Sequence, residues 1–246
     1  MRAGNLTPET IKLRRSHVQR MLRELDTPVG QLSTDQVTDW LAAHDWAPAT
    51  RRSYRSSAVS FLRFAGRGDI AEELPNARVP RALPRPAGDE VIRTALRKAD
   101  ARVQLMIELM AYGGLRRGEV CKVKASDLTG HWLTVTGKGG HTRAVPLPPH
   151  LCHRIRGHAG YLFPGAINGH LSARRVGELV GEVLPRGVTA HALRHRYATT
   201  VYGSSRDIRA VQGLLGHAKL DTTMVYVQVA NEDQERAARG AWGLVG

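Results

Sequence analysis

A stretch rich in proline and arginine divides this sequence of 246 residues into two unequal parts. Residues 76–88 read NARVPRALPRPAG, with three prolines, three arginines and no helical or strand periodicity. This composition favours an extended, semi-rigid linker, because proline fixes its backbone and cannot continue a helix. The sequence therefore predicts one domain over residues 1–75, a linker over residues 76–88 and a second domain over residues 89–246.

The first part contains three patterns that are typical of amphipathic helices. The first helix is predicted to begin at Pro8, with Thr7 as its cap. The second follows Ser33, which can form a capping box with Gln36. The third is predicted over residues 48–65, with an apolar side made of these residues: Tyr54, Ala58, Phe61, Leu62 and Ala65.

The second part combines helical patterns with one hairpin. Apolar periodicity predicts helices over Asp89–Lys98 and Arg102–Tyr112, followed by a β-hairpin in which residues 132–136 pair with residues 143–147. Further helices are predicted near Leu171–Val183, His191–Tyr202, Arg206–Leu215 and Thr222–Val229. The predicted fold class is mainly α with a small antiparallel β-sheet.

The charge balance points to a polyanionic partner. The chain has 36 basic and 22 acidic residues, for a net charge of +14. A codon bias explains arginine in place of lysine but not the excess of basic over acidic residues. In the third helix, Arg51, Arg52 and Arg55 are predicted to lie on the side opposite the apolar residues, as a DNA-facing surface or as a solvated face. Arg78 and Arg81 of the linker are further candidates for contacts with a phosphate backbone.

Other compositional features limit the class of protein. The sequence has no run of 18 apolar residues and no apolar core of a signal peptide near its start, so we expect a cytoplasmic protein without a membrane span. Cys121 and Cys152 belong to no CxxC pair or metal-ligand cluster, and we expect them to be ordinary buried or half-buried thiols.

Residues suited to phosphodiester chemistry cluster near the end of the sequence. Tyr226 follows His217 by nine residues in LLGHAKLDTTMVYVQV, and His191 and Arg194 lie in the upstream segment HALRH. A phenol has a pKa near 10, so a nucleophilic tyrosine needs cationic or basic neighbours. Such neighbours also neutralise the charge that the tyrosine passes to phosphate.

Two further segments supply cationic groups. Arg116 lies in GLRRGE, and Lys138 lies in the glycine-rich turn TGKGG of the predicted hairpin. Arg116 and Arg194 can each donate a bidentate pair of hydrogen bonds to phosphate, a geometry that lysine cannot reproduce. No carboxylate pair suited to magnesium accompanies these residues, which argues against a two-metal nuclease.

Taken together, these motifs resemble those of the tyrosine recombinases, the phage integrases and their bacterial relatives. The resemblance implies a helical, SAM-like core-binding domain followed by a tyrosine-recombinase catalytic domain. It implies a catalytic set in which Tyr226 is the nucleophile, Lys138 is the general acid and the other members contact phosphate or move protons: Arg116, Lys138, His191, Arg194, His217 and Tyr226. Glu119 is expected to orient Arg116, and His195 is expected to have a packing or supporting role.

The resemblance also implies a reaction and an assembly. Tyr226 would form a 3′-phosphotyrosyl link with release of a 5′ hydroxyl, which requires no ATP, metal or cofactor. Family members act as four protomers on two double-stranded DNA core sites through a Holliday junction. The chain is similar to a compact integrase of a phage or other mobile element, without an arm-binding domain. Gly118 departs from the pattern, because it is predicted to lie in the middle of a helix where the family tends to have a better helix former, and we expect it to loosen the turn behind Arg116.

Several alternatives remain open from the sequence. A type IB topoisomerase would use the same chemistry to relax supercoils, and a DNA-binding regulator could keep the fold without the reaction. Tyr112, Tyr197 and Tyr202 lie near the motifs but lack the spacing of Tyr226 from a Leu-Gly-His element. The apolar residues within 237–245 are expected to dock on their own domain or on another protomer.

Overall fold

The chain forms two compact units in a computed structural model. The model describes residue 6 and residues 8–76, 85–137 and 140–216. The first unit is Met1–Ala82 and the second is Leu83–Gly246, and each has a hydrophobic core of its own. In the described part of the chain, no helix has the length and apolar character that a membrane span needs.

Four helices make up the described part of the first unit. They are α1 (Pro8–Leu25), α2 (Thr34–Ala43), α3 (Pro48–Phe64) and α4 (Gly68–Glu73). Met21, Val37, Leu62 and Ile70 contribute one buried side chain from each helix to the core. The core therefore joins all four helices, including α4, which the sequence pattern did not predict.

Local signals set the helix ends of the first unit. Before α2, the Gln36 amide donates to Ser33 Oγ at 3.2 Å, and the Ser33 amide donates to Gln36 Oε1 at 2.9 Å. This is the predicted capping box, and Pro8 is the first residue of α1 as predicted. The prediction that Ala65 packs with the apolar side of α3 was wrong, because α3 ends at Phe64 and Ala65 is exposed.

The second unit is mostly helical. Its described helices are α5 (Asp89–Lys98), α6 (Ala101–Tyr112), α7 (Arg117–Val120), α8 (Pro149–Arg156), α9 (Ala173–Val183), α10 (Ala190–Ser205) and α11 (Ile208–Leu215). α6 is buried on nearly all sides, because its apolar residues do not segregate to one face. It packs against α5, α7, α8, α9 and α10, and it thereby forms the centre around which the functional residues are arranged.

A small antiparallel sheet lies beside these helices. Its strands are β1 (Leu128–Thr129), β2 (Trp132–Thr136) and β3 (Thr142–Pro146), in that order, and a separate short strand, β4, covers Pro164–Ile167. In the register of β2 and β3, Leu133 pairs with Val145, and Val135 pairs with Arg143. Because side chains alternate along a strand, these four residues face the core side of the sheet.

The predicted fold class, mainly α with a small antiparallel sheet, is confirmed. The hairpin is present, and the helices predicted near residues 171–183, 191–202 and 206–215 are observed as α9, α10 and α11. The predicted helix Thr222–Val229 lies outside the described residues. Cys121 and Cys152 are buried, as predicted for ordinary thiols.

Candidate active site

Arg116 is held at a turn between α6 and α7. The backbone of Gly114 is left-handed, with φ +65°, and a Cβ at this position would lie 2.3 Å from Cδ1 of Tyr197. Only glycine therefore permits the chain to pass so close to α10. The turn leaves Arg116 as the N-cap of α7, with its side chain 39% exposed.

Gly118 follows in the first turn of the same short helix. The prediction that Gly118 lies in the middle of a helix was wrong, because α7 has four residues and Gly118 is the second of them. A Cβ there would meet the Cβ of Ala173 at 3.9 Å, an ordinary contact. The backbone amide of Arg116 is fixed instead by Glu119, whose carboxylate accepts from it at 2.8 Å.

Arg194 and His191 lie at the start of α10. His191 is the second residue of the helix, and Arg194, one turn later, is 1% exposed. Arg194 donates through Nη1 to the carbonyl of Gly114 and through Nη2 to the carbonyl of Leu215 at 2.6 Å. Arg116 Nη1 lies 3.3 Å from the same Leu215 carbonyl oxygen. The two arginines, which are 78 positions apart in the sequence, therefore meet at the carboxyl end of α11.

One buried carboxylate joins this group. Glu119 is 4% exposed, and its Oε1 accepts from Arg116 Nη1 at 2.8 Å. Arg143 of β3 donates to both oxygens of Glu119, at 2.9 and 2.8 Å, and Nη1 of Arg194 lies 3.7 Å from Oε2. Three guanidinium groups thus share one carboxylate, so the four side chains together carry two more positive than negative charges.

Two of these side chains, Arg116 and Arg194, border a cavity of about 290 Å³. Its wall is formed by Leu115, Arg116, Arg117, Gly118, Ala173, Ala190, His191 and Arg194. Ala173 and Ala190 are the first residues of α9 and α10, so two helices begin at this cavity. Helix N-termini present backbone N–H groups and a partial positive charge. The cavity is therefore suited to an anion such as phosphate.

The environment shifts the titration of the ionisable groups. Burial would raise the pKa of Glu119, but hydrogen bonds from Arg143 and the Arg116 amide, with the charges of Arg143 and Arg194, lower it to about 2. Partial desolvation, followed by the charges of Arg194, Arg116 and Arg117, lowers the pKa of His191. The result is a carboxylate and a neutral imidazole at neutral pH.

His195 and three tyrosines have supporting positions. The rings of His191 and His195 are in edge contact, with centroids 4.2 Å apart, and burial lowers the pKa of His195 to about 4. Tyr197 and Tyr202 are buried, and burial raises the pKa of Tyr197. Tyr112 is half-buried in contact with Arg196. A tyrosine with a raised pKa is a poorer nucleophile, so Tyr197 is suited to packing rather than attack.

The remaining predicted catalytic residues lie outside the described part of the chain. These are Lys138, His217 and Tyr226. The described neighbours are Gly137, which directly follows β2, and Gly216, which directly follows α11. A Cβ at Gly137 would lie 3.4 Å from Oε1 of Glu119. The hairpin therefore approaches the carboxylate at the residue before Lys138.

Arg143 was missed by the sequence reasoning. It is 9% exposed, and it pairs with Glu119 as closely as Arg116 does. The signal that could have found it is strand alternation. Arg143 precedes Val145 by two residues in the predicted hairpin, so both face the core, and a charged residue at a core-facing position needs a buried partner.

In the first unit, the three arginines predicted to face DNA have different surroundings. Arg51 Nη2 donates to the carbonyl of His44 at 3.0 Å, and Arg55 donates to the carbonyls of Leu74 and Pro75, both at 2.6 Å. These two residues hold the ends of α2 and α4 in place. Arg52 is exposed, and it borders a groove between α1 and α3 of about 330 Å³.

The groove beside Arg52 has a polar lining. It contains several hydroxyl groups and two arginines: Thr10, Leu13, Arg14, Ala49, Arg52, Ser53, Ser56 and Ser57. Short hydroxyl side chains and arginine are the residue types that contact DNA phosphates. Arg78 and Arg81, the other predicted DNA contacts, lie outside the described residues.

Comparison with known proteins gives this site a family. The sequence model of the phage integrase family matches residues 89–233. Tyrosine recombinase XerA of Thermococcus kodakarensis is 32% identical, over 96% of this chain and 90% of the relative. The fold is similar to that of a lambda integrase dimer bound to a COC′ core site, with a TM-score of 0.73 and 20% identity over 90% of this chain and 72% of that chain. It is also similar to a lambda integrase tetramer bound to a Holliday junction, with a TM-score of 0.67 and 19% identity over 87% of this chain and 73% of that chain. The residues brought together around Glu119 thus lie in a catalytic domain of known type, and the chain belongs to the phage integrase family of tyrosine recombinases, as a site-specific DNA recombinase.

Proposed function

We propose that this recombinase cleaves DNA by attack of the Tyr226 hydroxyl on the phosphorus of a core-site phosphodiester. A bond forms between the tyrosine oxygen and phosphorus, and the bond from phosphorus to the 5′ oxygen breaks. The phenol proton passes to a histidine, His191 or His217, and Lys138 supplies the proton that the departing 5′ oxygen takes up. The products are a 3′-phosphotyrosyl link and a free 5′ hydroxyl.

The arginine cluster around Glu119 is the observation that carries this proposal. Phosphoryl transfer needs donors that neutralise charge on the non-bridging oxygens. Arg116, His191 and Arg194 line a single cavity, next to the amino ends of α9 and α10. The excess of positive charge around Glu119 suits this cavity to one phosphate group. Loss of one such donor typically lowers the rate on the order of 10²- to 10³-fold.

The protonation state of His191 supports its role in proton transfer. Partial desolvation and the nearby arginines lower its pKa, so the imidazole is neutral at pH 7. A neutral imidazole has one nitrogen that donates and one that accepts. His191 can therefore accept the phenol proton directly, or donate to a phosphate oxygen while His217 accepts that proton.

Strand exchange follows from the same intermediate. The 5′ hydroxyl of a partner strand attacks the phosphotyrosyl link and releases Tyr226, so the energy of the phosphodiester is conserved without ATP or metal. DNA binding and multimerisation are supported by recombinase structures of similar fold. We propose that four protomers act on two double-stranded core sites through a Holliday junction, in the host cytoplasm or nucleoid.

The first unit is proposed to bind the core site. The groove lined by hydroxyl groups beside Arg52 supports this role, because it offers donors of the type that contact phosphates. Arg51 and Arg55 already donate to backbone carbonyls within the unit. Any contact they make with DNA is therefore additional to a structural role, whereas Arg52 is exposed.

The replacement Tyr226→Phe tests the proposed chemistry. The variant loses one oxygen, so we expect it to bind core-site DNA but to form no covalent adduct on a nicked suicide substrate resolved under denaturing conditions. Tyr161→Phe is the matched control. Tyr161 lies in the same unit against Lys124 and His170, and its variant should form the adduct as the wild type does. An adduct that survives in Tyr226→Phe would assign the nucleophile to another tyrosine.

A further inference from the structure

Arg143 occupies a position in the second unit that no catalytic role yet explains. It lies on β3 opposite Val135, on the side of the sheet that faces the core. Its side chain is 9% exposed and carries a full charge. A buried guanidinium is costly unless its donors have partners, and the partners of Arg143 belong to two segments far from it in sequence.

The first partner is Glu119. Arg143 donates through Nη1 and Nη2 to the two carboxylate oxygens, in a bidentate pair that fixes the plane of the carboxylate. The same oxygens accept from the backbone amide and the Nη1 of Arg116. The orientation of Arg116 is therefore coupled to Arg143 through one rigid group.

The second partner is the carboxyl end of α11. Nε of Arg143 donates to the carbonyl of Leu214 at 2.7 Å. The next carbonyl, that of Leu215, accepts from Arg116 and Arg194. Gly216 then turns with φ +61°, and a Cβ at this position would lie 3.0 Å from Cδ of Arg143. Arg143 thus contacts the helix end to which the two proposed phosphate-binding arginines are also bound.

We infer that Arg143 is a positioning residue for the recombination reaction, which sets the orientation of Arg116 through Glu119 and the place of the α11 end through Leu214. Arg143 does not line the cavity proposed for phosphate. Lysine cannot replace it, because a single ammonium cannot present the planar fork that holds both carboxylate oxygens while a third N–H reaches Leu214. This inference rests on the proposed function, in which Arg116 neutralises the scissile phosphate.

The expected effect of Arg143→Lys is a slower chemical step with little change in DNA binding. A displacement of about 1 Å of a catalytic group can lower a rate on the order of 10²-fold. We expect a loss of this order in single-turnover cleavage of a nicked core-site substrate. Core-site affinity, measured by gel shift, should stay close to that of the wild type.

A neutral phosphate analogue separates positioning of Arg116 from a general loss of structure. A methylphosphonate at the scissile position lacks one charged oxygen, so a defect in neutralising that charge should be largely relieved on it. We expect Arg116→Ala and Arg143→Lys to lose much less rate, relative to the wild type, on methylphosphonate than on phosphate. Equal slowing of Arg143→Lys on both substrates would overturn the inference. The inference would also be overturned if the double variant Arg116→Ala with Arg143→Lys cleaved phosphate more slowly than Arg116→Ala alone, because Arg143 is inferred to act through Arg116.

Arg154→Lys is the matched control. Arg154 also pairs with a largely buried glutamate, Glu108, and donates to a backbone carbonyl, that of Ala101. Neither residue lines the cavity of Arg116, so this variant should cleave both substrates as the wild type does. If Arg143→Lys does not fold, as judged by its melting curve, the double variant Arg143→Gln with Glu119→Gln removes both charges and takes its place. The same relief on methylphosphonate is expected of that pair.

The outcomes distinguish the inference from the proposed function. If the wild type forms no adduct, or if Arg116→Ala cleaves phosphate normally, the proposed function fails. If both behave as expected while Arg143→Lys matches the wild type on phosphate, the role of Arg143 alone is refuted.

Discussion

Replacement of Glu119 by glutamine tests the charge balance of the site with a defined magnitude. The amide has nearly the shape of the carboxylate, but it carries no charge. Only its oxygen accepts hydrogen bonds, whereas both oxygens of the carboxylate accept them from the arginines. In Glu119→Gln, Arg116, Arg143 and Arg194 would lie close together without their shared carboxylate. We expect the second unit to lose stability at neutral pH.

The lowered pKa of Glu119 gives the size and the pH dependence of this loss. A carboxylate whose pKa is lower in the folded state stabilises the fold above its unfolded pKa, here 4.5, and the stabilisation is lost as pH falls through about 2. The interval between these pKa values corresponds to about 3 kcal/mol at pH 7. By pH 3.5 the difference between wild type and variant should shrink to about 2 kcal/mol.

Both cysteines of the chain provide the assay. Cys121 and Cys152 are buried in the second unit, so their labelling in urea reports unfolding of that unit without interference from the first. A dithiopyridine reagent, which reacts with thiols in acid, allows the same measurement at pH 7 and pH 3.5. Glu178→Gln is the control, because Glu178 lies in an exposed ion pair with Arg174, and its variant should unfold with the wild type. A difference between Glu119→Gln and wild type that stays constant with pH would refute the reasoning.

Two further predictions concern DNA cleavage and DNA binding. In single-turnover assays, Lys138→Ala should slow cleavage of ordinary DNA much more than cleavage of a 5′-bridging phosphorothiolate, because a sulfur leaving group hardly needs the proton that Lys138 supplies. Equal slowing on both substrates would show that Lys138 positions the phosphate instead. Neutralising Arg51, Arg52 and Arg55 together should weaken core-site binding and flatten its salt dependence, with a decrease of about 0.9 in the log-log slope for each phosphate group that the variant no longer neutralises. The single variant Arg52→Gln should keep the fold of the first unit and show one such decrease. An unchanged slope in a salt titration would show that Arg52 is a solvated surface residue that contacts no phosphate.

The elements with strong periodic patterns were predictable from the sequence. α5 was predicted to the residue, because acidic residues in its first turn and basic residues in its last accompany a regular apolar spacing. The β2–β3 hairpin followed from alternation around a glycine-rich turn. In contrast, α4 has six residues and begins with a glycine, and α8 has eight residues between proline and glycine. Such short helices owe their stability to tertiary packing, which a local pattern does not contain.

Arg143 could not be singled out in the same way. The chain contains 30 arginines, and the local sequence around Arg143 differs little from that of a surface strand. Its importance follows from a tertiary fact, the arrival of Glu119 and the end of α11 at the same place. Arg51 and Arg55 illustrate the opposite error. They were predicted to lie opposite the apolar residues of α3, but at helical spacing they share the face of Ala58 and Leu62, and in the folded unit they donate to carbonyls at the ends of neighbouring helices.

The charge of the cluster around Glu119 connects its structure with the proposed reaction. One carboxylate and the α11 carbonyls satisfy part of the hydrogen-bonding capacity of three guanidinium groups, but they leave an excess of positive charge at a site where two of the three, Arg143 and Arg194, are largely buried. Such an arrangement costs free energy while no anion is bound. Burial of Arg194 also keeps water from reorganising around its guanidinium group, so a hydrogen bond that it donates to a phosphate oxygen is stronger than it would be at the surface. The free energy spent on holding the arginines together in the fold is therefore recovered when negative charge develops on the scissile phosphate.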